Sequence, residues 1–275
     1  LTKDDWKDQQ ACLTKAKNEI GFPLVVRPAN QGSSIGVSIV KEADLQTFAE
    51  AINLGFFEHR LTKQEWNEAS DEEKVKIIGR IGDIKEGLGF PMYADGTLIY
   101  HPDDLYDKVR DVLFVYDEII LKGEQSENEV LLESFIDGRE FSCIVMRKED
   151  GTCAALPPTE IIKGQEVYDY RSKYLPGLSR KLTPIDLSVN EIETIQKECI
   201  RLFELFRFDT YARIDGFYTE EKKIFLNDPN TTSGMMPSSF FFHQAAELGL
   251  NPSQFLSYII RISLQERMAD GIPEA

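Results

Sequence analysis

The sequence predicts an α+β protein built from two packed units. Strand-like and helix-like segments follow one another without the regular strand–helix–strand repeat of a doubly wound parallel sheet. The 275 residues exceed the usual size of a single hydrophobic core. The apolar content of 42% is sufficient for two cores. We place the boundary after residue 132, so that the units cover 1–132 and 133–275.

In the first unit, apolar periodicity predicts two helices and two strands before residue 53. In chain order these are a helix at 3–19, a strand at 22–27, a strand at 37–40 and a helix at 42–52. The first helix ends at Gly21, and the second has Leu45, Phe48 and Ile52 on one face. A loop rich in Gly and Ser joins the two strands.

Residues 53–104 have a different character and predict an inserted module of two helices and a hairpin. Ser70 and Glu73 form a capping box before a charged helix. A turn at 94–97 separates two short apolar runs, which indicates the hairpin. No chemistry is recognisable in this module, so packing or interface formation is its simpler explanation. An exposed helix face within it would permit a homodimer.

In the second unit we expect strands at 130–136 and 140–146, paired across a turn at 137–138. A long irregular stretch at 157–186 follows, and loops of that length in compact domains are usually functional or mobile. Ser188 and Glu191 form a capping box for a helix that ends at about residue 206. A last helix is predicted at 252–268.

Composition narrows the classes of partner. The net charge of −16 argues against nucleic acid and anionic membranes, because binding to phosphates needs clustered Lys and Arg. The four cysteines lack CxxC spacing and nearby histidines, which predicts reduced cysteines rather than zinc ligands or disulfides. No apolar run approaches the roughly 20 residues that span a bilayer, and no signal-like leader opens the chain. We therefore expect a soluble, cytoplasmic protein with small-molecule ligands, and the amphipathic start at Leu1 predicts a missing preceding part.

Two apolar segments near the C-terminus carry a set of oxygen ligands. Asp215 lies in the first, and Asp228 and Asn230 lie two residues apart in the second, so that they face the same side of a strand. A polar turn at 219–223 would join the two as a hairpin, with Arg213 alongside. Carboxylate and amide oxygens suit a hard cation such as Mg²⁺. The simpler alternative is an acidic edge hairpin in a chain that is acidic throughout.

The Gly/Ser loop after the first strand predicts a phosphate site. Arg27 supplies a cation at the end of the strand, and Ser33 and Ser34 lie in the loop that follows. Small residues allow backbone amides to approach an anion closely. The loop is not a Walker motif, because no GK[ST] follows it to open a helix. An ordinary glycine-rich turn is the alternative.

Four segments together resemble the D-alanine–D-alanine ligase family of the ATP-grasp superfamily. They are PANQGSSIGVS for the phosphate loop, LLESFIDGREFS for the adenine hinge, LPPTEI with YDYRSKY for the substrate loop, and ARIDGF with LNDPNTTSGMMPSS for the metal and oxyanion motif. The resemblance covers residues 22–52 and 130–268. It implies an ATP-grasp fold, in which ATP lies between two antiparallel sheets.

The resemblance also implies a role for each matching residue. Those implied for ATP are the backbone of Glu133, Phe135 and Ile136 at the adenine edge, Leu226 and Phe141 at its faces, Glu140 at the ribose, and Arg27, Ser33, Ser34 and Lys173 at the phosphates. Those implied for metal are Asp215, Asp228 and Asn230, which would hold two Mg²⁺ ions or Mn²⁺ in their place. Those implied for substrates and the oxyanion are Lys173, Tyr174, Arg213, the N–H of Gly234, and Ser239 with Ser238 as the adjacent alternative.

Three positions depart from the family's pattern. Arg27 replaces the usual lysine, and its planar guanidinium is wider than an ammonium group. Asp228 replaces a glutamate and is one methylene shorter, which matters because Mg²⁺ demands near-ideal distances. Ser233 stands where proline is usual.

The function that the resemblance implies is an ATP-dependent carboxylate–amine ligase. It would join two D-alanines through an acyl phosphate for peptidoglycan precursor synthesis. The family's N-terminal domain, which binds the first D-alanine, has no counterpart in this sequence. Two alternatives stay open, a related ATP-grasp ligase acting on another amino acid and a nucleotide-binding module that has lost catalysis.

Overall fold

The computed structural model describes residues 1–32, 34–84, 87–124, 126–163, 179–236 and 239–269. Contacts within the chain divide it into two compact units, Leu1–Phe135 and Ile136–Ala275. This division falls three residues beyond the boundary proposed from the sequence. Helices and antiparallel sheets occur in both units, which confirms the α+β class.

The first unit contains two sheets and the helices that cover them. Its described helices are α1 (Gln9–Glu19), α2 (Leu45–Gly55), α3 (Lys63–Glu68), α4 (Asp71–Ile81) and α5 (Pro102–Val115). Its described strands are β1 (Leu24–Pro28), β2 (Ser38–Val40), β3 (Glu58–Thr62), β4 (Met92–Ala94), β5 (Thr97–Ile99), β6 (Glu118–Gly123) and β7 (Val130–Ser134). The predicted first helix is shorter than expected, because the Asp8 side chain accepts from the Ala11 N–H and caps α1 after a 3-10 turn at Asp5–Lys7.

The smaller sheet of this unit has the strand order β2-β1-β7. Leu24 and Val26 of β1 are fully buried against α1 and α2. Because side chains alternate along a strand, Val25 and Arg27 face the opposite side of the sheet. The sheet therefore has one face in the hydrophobic core, and Val25 and Arg27 lie on the other face.

The second sheet of this unit, β3-β6-β4-β5, forms a module with its own hydrophobic core. The predicted capping box at Ser70 and Glu73 and the predicted β4–β5 hairpin are both present. The range proposed from the sequence, 53–104, ends inside α5. The module's sheet continues to Gly123, because β6 pairs with both β3 and β4.

The second unit is built on one larger sheet. Its described strands are β8 (Arg139–Arg147), β9 (Cys153–Ala155), β10 (Thr159–Lys163), β11 (Ser179–Leu182), β12 (Tyr211–Tyr218) and β13 (Ile224–Asn230). Its described helices are α6 (Val189–Leu205), α7 (Phe240–Glu247) and α8 (Pro252–Ala269). The strand order is β11-β10-β8-β12-β13, and β9 also pairs with β8. Helix α6 packs on one face of this sheet, and α7 and α8 pack on part of the other.

Two predictions for this region were wrong. Strands β7 and β8 do not pair across 137–138, since β7 pairs with β1 and β8 pairs with β12. The adjacent strands belong to different units, and a short connection cannot reveal that difference. The stretch 157–186 is not irregular throughout, because β10 and β11 form within it and pair with each other. The capping box at Ser188 and Glu191, by contrast, is confirmed.

Two further observations concern composition. All four cysteines are free, and Cys12, Cys143 and Cys199 are buried, as expected for core thiols. Among the residues with described positions, no helix has both the length and the apolar character needed to cross a bilayer.

Candidate functional site

The β12–β13 hairpin assembles the four polar residues that its sequence singled out. Arg213 lies opposite Asn230, and Asp215 lies opposite Asp228. Because residues two apart on a strand share a face, all four side chains lie on one face of the hairpin as two adjacent cross-strand pairs. The predicted turn at 219–223 connects the strands, so this prediction is confirmed.

An irregularity in β13 sets this arrangement. Leu226 pairs with Gly216 and Asp228 pairs with Asp215, so that Asn227 is the extra residue of a β-bulge. The bulge moves Leu226 and Asp228 onto opposite faces of the sheet. Leu226 packs on the hydrophobic core beneath α6, and the fully buried Phe141 belongs to the same core. The structure therefore does not bring Leu226 and Phe141, the two residues expected at the adenine faces, together with Asp215 and Asp228.

Arg213 is held in place by three neighbours. Its Nε and Nη2 donate to the two carboxylate oxygens of Asp215 at 3.0 and 2.9 Å. Its Nη1 donates to the Ser233 hydroxyl at 2.8 Å. The guanidinium also lies 5.8 Å from the centre of the Phe240 ring. Only 18% of the Arg213 side chain and 16% of the Asp215 side chain are exposed, so the pair is largely desolvated.

The charge state of Asp215 follows from its surroundings. Burial raises the pKa of Asp215 because it disfavours the ionised form, and the nearby charge of Asp228 acts in the same direction. The Arg213 guanidinium opposes this rise through its charge and its hydrogen bonds. A cation beside Asp215 and Asp228 would relieve the repulsion between the two carboxylates.

The donor set suits a hard cation that keeps other ligands. Asp215, Asp228 and Asn230 all offer oxygen atoms, and the Asn230 amide nitrogen donates to the backbone oxygen of Asp228 at 2.9 Å. This bond leaves the amide oxygen as the end of the side chain that can face a cation. Within the described residues, no group of three or more His, Cys, Asp or Glu side chains could hold a metal. The oxygen atoms of Asp215, Asp228 and Asn230 fit Mg²⁺, which usually keeps water and phosphate oxygens beside one or two carboxylates.

A second cation near this site was missed by the sequence analysis. Lys181 of β11 lies opposite Ile161 of β10, and its ammonium group is 4.4 Å from the centre of the Phe240 ring. Burial lowers the pKa of Lys181, and the charge of Arg213 lowers it further. The pairing of β10 with β11 positions Lys181 next to Phe240, and no local pattern in the sequence indicates that pairing.

Gln244 of α7 is another residue that the sequence did not single out. It is fully buried, and it accepts a hydrogen bond from the Ile144 N–H and donates to the Ser142 carbonyl at 3.0 and 2.8 Å. Its amide also donates to the Thr159 hydroxyl at 3.1 Å. These bonds satisfy backbone groups of β8 at the point where its neighbouring strand changes from β10 to β9. They also fix α7 against the sheet.

Helix α7 in turn fixes Ser239 and Phe240 at its start. Ser239 is the N-cap residue, but its side chain makes no capping bond. Its Oγ is buried and has no hydrogen-bond partner among the described atoms. A buried hydroxyl in this state is suited to a ligand group. Gly234 follows directly after Ser233, the residue that contacts Arg213.

The first unit presents the residues expected at the phosphates and at the adenine edge. Arg27 and Glu133 lie on the face of the β2-β1-β7 sheet that points away from its core, with Nη1 and Oε2 3.6 Å apart. Ser34 has a φ of 59°, a left-handed conformation that is uncommon outside glycine. The Phe135 N–H donates to the Pro23 carbonyl at 3.3 Å.

The other expected residues divide into two groups. In the second unit, Glu140 shares the face of β8 that also carries Ser142, and Ser142 lies opposite Asp215. Ile136 is the first residue of that unit. Ser33, Lys173 and Tyr174 lie outside the described residues.

Comparison with known proteins gives this site a context. The family model described as "D-ala D-ala ligase C-terminus" matches residues 1–82 and 112–261. A D-alanine–D-alanine ligase of Desulfotalea psychrophila is 33% identical over 250 residues, which is 90% of this chain and 56% of that protein. The D-alanine–D-alanine ligase B of Clostridium perfringens is 30% identical over 201 residues, which is 73% of this chain and 61% of that protein.

A solved structure shares the fold. The VanG D-Ala:D-Ser ligase of Enterococcus faecalis superposes with a TM-score of 0.58 at 19% identity, over 95% of this chain and 55% of that one. This similarity shows that the chain shares the fold of that part of the ligase. The chain spans little more than half the length of the relatives it matches. On the match to the family model over most of its length, the chain belongs to the D-alanine–D-alanine ligase C-terminal family.

Proposed function

We propose that this chain supplies the ATP-binding and catalytic part of an ATP-dependent ligase that joins two D-alanines for peptidoglycan precursor synthesis. The observation that carries the proposal is the block of four side chains on the β12–β13 hairpin, Arg213, Asp215, Asp228 and Asn230. The names of the similar ligases supply the class of substrate.

The reaction makes two electrostatic demands. The carboxylate of the first amino acid takes a phosphoryl group from ATP, and the amine of the second then attacks the acyl phosphate. Negative charge develops first on the phosphoryl oxygens and then on a tetrahedral oxyanion. Fixed positive groups that need no rearrangement are the most effective way to stabilise such charges.

Metal binding at the hairpin would meet the first demand. Asp215, Asp228 and Asn230 would hold Mg²⁺, which neutralises charge on the phosphates when it is bound. In the proposed site these residues hold two ions, and Mn²⁺ is an alternative to Mg²⁺. The Asp228 side chain is exposed. This exposure supports its proposed role as a ligand of a metal ion that also binds the phosphates, although aspartate is shorter than the usual glutamate.

Arg213 would meet the second demand together with the N–H of Gly234. The contacts of Arg213 with Asp215 and Ser233 hold its guanidinium in one orientation, which supports a role for the cation in charge stabilisation. The buried Ser239 hydroxyl would accept or donate to the carboxylate of the second substrate. Arg27, Ser33, Ser34 and Lys173 are proposed at the phosphates. The homodimer and the cytoplasmic location stay predictions.

Calorimetric titration with a non-hydrolysable ATP analogue, with and without Mg²⁺, tests this function. We expect Mg²⁺ to tighten binding to the wild-type protein. Asp228→Asn is the informative variant, because the Asp228 side chain is exposed and the substitution removes its charge while keeping its shape. Loss of a residue that merely supports a metal ligand typically weakens metal affinity roughly 10–100-fold, so a ligand itself should lose at least as much.

The matched control is Glu220→Gln. It removes one carboxylate from the turn at the other end of the same hairpin, and Glu220 is exposed. It should keep the full effect of Mg²⁺. If Mg²⁺ does not tighten binding to the wild-type protein, the catalytic assignment fails and a degenerate nucleotide-binding module becomes the better description. If binding is metal-dependent, phosphate release with a panel of D-amino acids identifies the substrates.

A further inference from the structure

The phosphate loop at 28–37 is held by residues that lie far from it in the chain. One side of the loop contacts the segment that follows the module, and the other side contacts the module's core. These contacts are separate from the ligand-binding residues assigned above. They concern how the loop is shaped rather than what it binds.

Glu127 contacts the first side of the loop through Asn30. Its Oε1 accepts from the Asn30 backbone N–H at 3.1 Å, and its Oε2 accepts from the Asn30 side-chain amide at 2.9 Å. Glu127 is only 6% exposed, although it is a carboxylate in a connecting segment. A buried carboxylate needs hydrogen-bond partners to offset its desolvation, and Asn30 supplies two of them.

The segment that carries Glu127 is itself fixed. The Glu127 N–H donates to the Phe56 carbonyl at 3.1 Å, and the Gly123 N–H donates to the Phe57 carbonyl at 2.9 Å. Both acceptors lie directly after α2, which packs against β1. The backbone of Glu127 is therefore anchored to the residues that follow α2.

The second side of the loop rests on the module. Ile35 packs against the module's hydrophobic core, which includes Phe57. Gly36 has a φ of 71°, and a Cβ at this position would lie 2.8 Å from Pro28 Cγ and 3.2 Å from Phe57 Cζ. The backbone of the loop thus passes close to Phe57 with no room for a side chain.

We propose that Glu127 is a positioning residue for ATP binding, which holds the phosphate loop in its binding shape through the paired hydrogen bonds to Asn30. This inference rests on the proposed function, because it assumes that the loop binds the phosphates of ATP. Glu127 touches no nucleotide in this scheme. Its effect on ATP passes through the backbone of the loop.

The test compares ATP with AMP as ligands of the full-length protein, by calorimetry in the presence of Mg²⁺. Glu127→Ala should weaken the affinity for ATP about tenfold, which corresponds to about 1.4 kcal/mol. The affinity for AMP should stay unchanged, because AMP has no β- or γ-phosphate for the loop to hold. Glu127→Gln should restore most of the affinity for ATP, since a reoriented Asn30 amide can pair with a glutamine amide.

Two further variants complete the design. Glu129→Ala removes an exposed carboxylate two residues away and should change neither affinity. Asn30→Ala removes the hydrogen bond between the Asn30 amide and Glu127 and keeps the one from the Asn30 backbone N–H. Because Asn30 is exposed, this variant still measures the loss of ATP affinity if Glu127→Ala does not fold. We expect it to weaken ATP binding alone, by less than Glu127→Ala.

The outcomes separate the two proposals. If the wild-type protein does not bind ATP, the proposed function and this inference both fail. If it binds ATP, but Glu127→Ala and Asn30→Ala bind ATP as tightly as the wild type, only the positioning role is overturned. Equal weakening of ATP and AMP would indicate a general structural role and would also overturn it.

Discussion

The hairpin β12–β13 and the phosphate loop at 28–37 are both expected at the phosphates of ATP, yet they are held in shape in different ways. The hairpin carries its own determinants, because the register of two adjacent strands pairs Arg213 with Asn230 and Asp215 with Asp228. The loop depends on distant residues, chiefly Glu127 and Phe57. A site made of side chains on a regular sheet needs little outside support, whereas a site made of backbone amides must be supported by its neighbours.

The largest expected effect tests the hairpin directly. Arg213→Ala removes the cation and leaves the buried Asp215 without its fork of hydrogen bonds. If Arg213 stabilises the developing charge, turnover should fall ~10²–10³-fold. Phosphate release with D-alanine in the full-length protein measures this. Arg213→Lys should restore little, because one ammonium group cannot make the paired bonds. A loss of less than tenfold for Arg213→Ala would mean that the hairpin does not carry the catalytic charge.

The next effect tests the loop in the same way. Gly36→Ala places a Cβ against Pro28 and Phe57 at a residue with positive φ. Strain of this kind costs about 1–3 kcal/mol, so we expect affinity for ATP to fall roughly tenfold or more. Gly79→Ala in α4 is the control, since a Cβ there meets nothing within 4 Å. Unchanged ATP affinity in Gly36→Ala would show that the loop does not need its neighbours.

A smaller effect sharpens the description of the hairpin. Ser233→Ala removes the hydroxyl that accepts from Arg213 Nη1. A hydrogen bond of this kind contributes about 0.5–1.5 kcal/mol, so turnover should fall severalfold without loss of fold. Ser233→Thr keeps the hydroxyl and should retain most of the turnover. Equal turnover in the wild type and Ser233→Ala would mean that the Ser233 hydroxyl does not help to orient Arg213.

The smallest effect concerns the turn end of the hairpin. Hydrogen bonds from Ser188, Tyr218 and Lys222 lower the pKa of Glu191 from 4.5 to about 2. Because the folded state then holds this proton more weakly than the unfolded state, the contribution is present above pH 4.5 and is lost as the pH falls towards 2.

Urea unfolding at pH 7 and pH 3 measures this contribution. We expect Glu191→Gln to lose less stability between the two pH values than the wild type. Glu193→Gln on the exposed face of α6 should behave as the wild type. If Glu191→Gln and the wild type lose equal stability, the contacts of Glu191 with Tyr218 and Lys222 do not anchor the hairpin.

The contrast between hairpin and loop also explains what the sequence could predict. Period-two alternation and a polar turn are local signals, and they sufficed to predict the hairpin and to place Asp228 and Asn230 on one face of its second strand. The capping boxes at Ser70 and Ser188 were equally local and equally reliable. The pairing of β7 with β1 rather than β8 depends on contacts between distant segments, and no local pattern encodes it.

The same limit applies to the residues that were missed. Asn30 and Glu127 are 97 positions apart, and a glutamate in a connecting segment gives no sign that it is buried. Gln244 looks like an ordinary polar residue of a short helix, although its amide bonds groups on two strands. The sequence also did not indicate that Leu226 and Asp228 lie on opposite faces, because a bulge, which changes the face of every later residue, cannot be recognised from alternation alone.

Because of that bulge, the face on which Asp228 lies depends on the number of residues between Leu226 and Asp228. If the intact strand paired without a bulge, Asn227 would lie opposite Asp215 and Asp228 would lie opposite Ile214, on the face that packs beneath α6. A single-residue insertion between Leu226 and Asp228 would have the same effect if the bulge still held one residue, although no proposed ligand had changed, whereas deletion of Asn227 would keep Asp228 opposite Asp215. A longer segment between Leu226 and Asp228 should therefore be less tolerated than substitution at Asn227, and a comparison of related hairpins should score that spacing before the identity of the residue inside it.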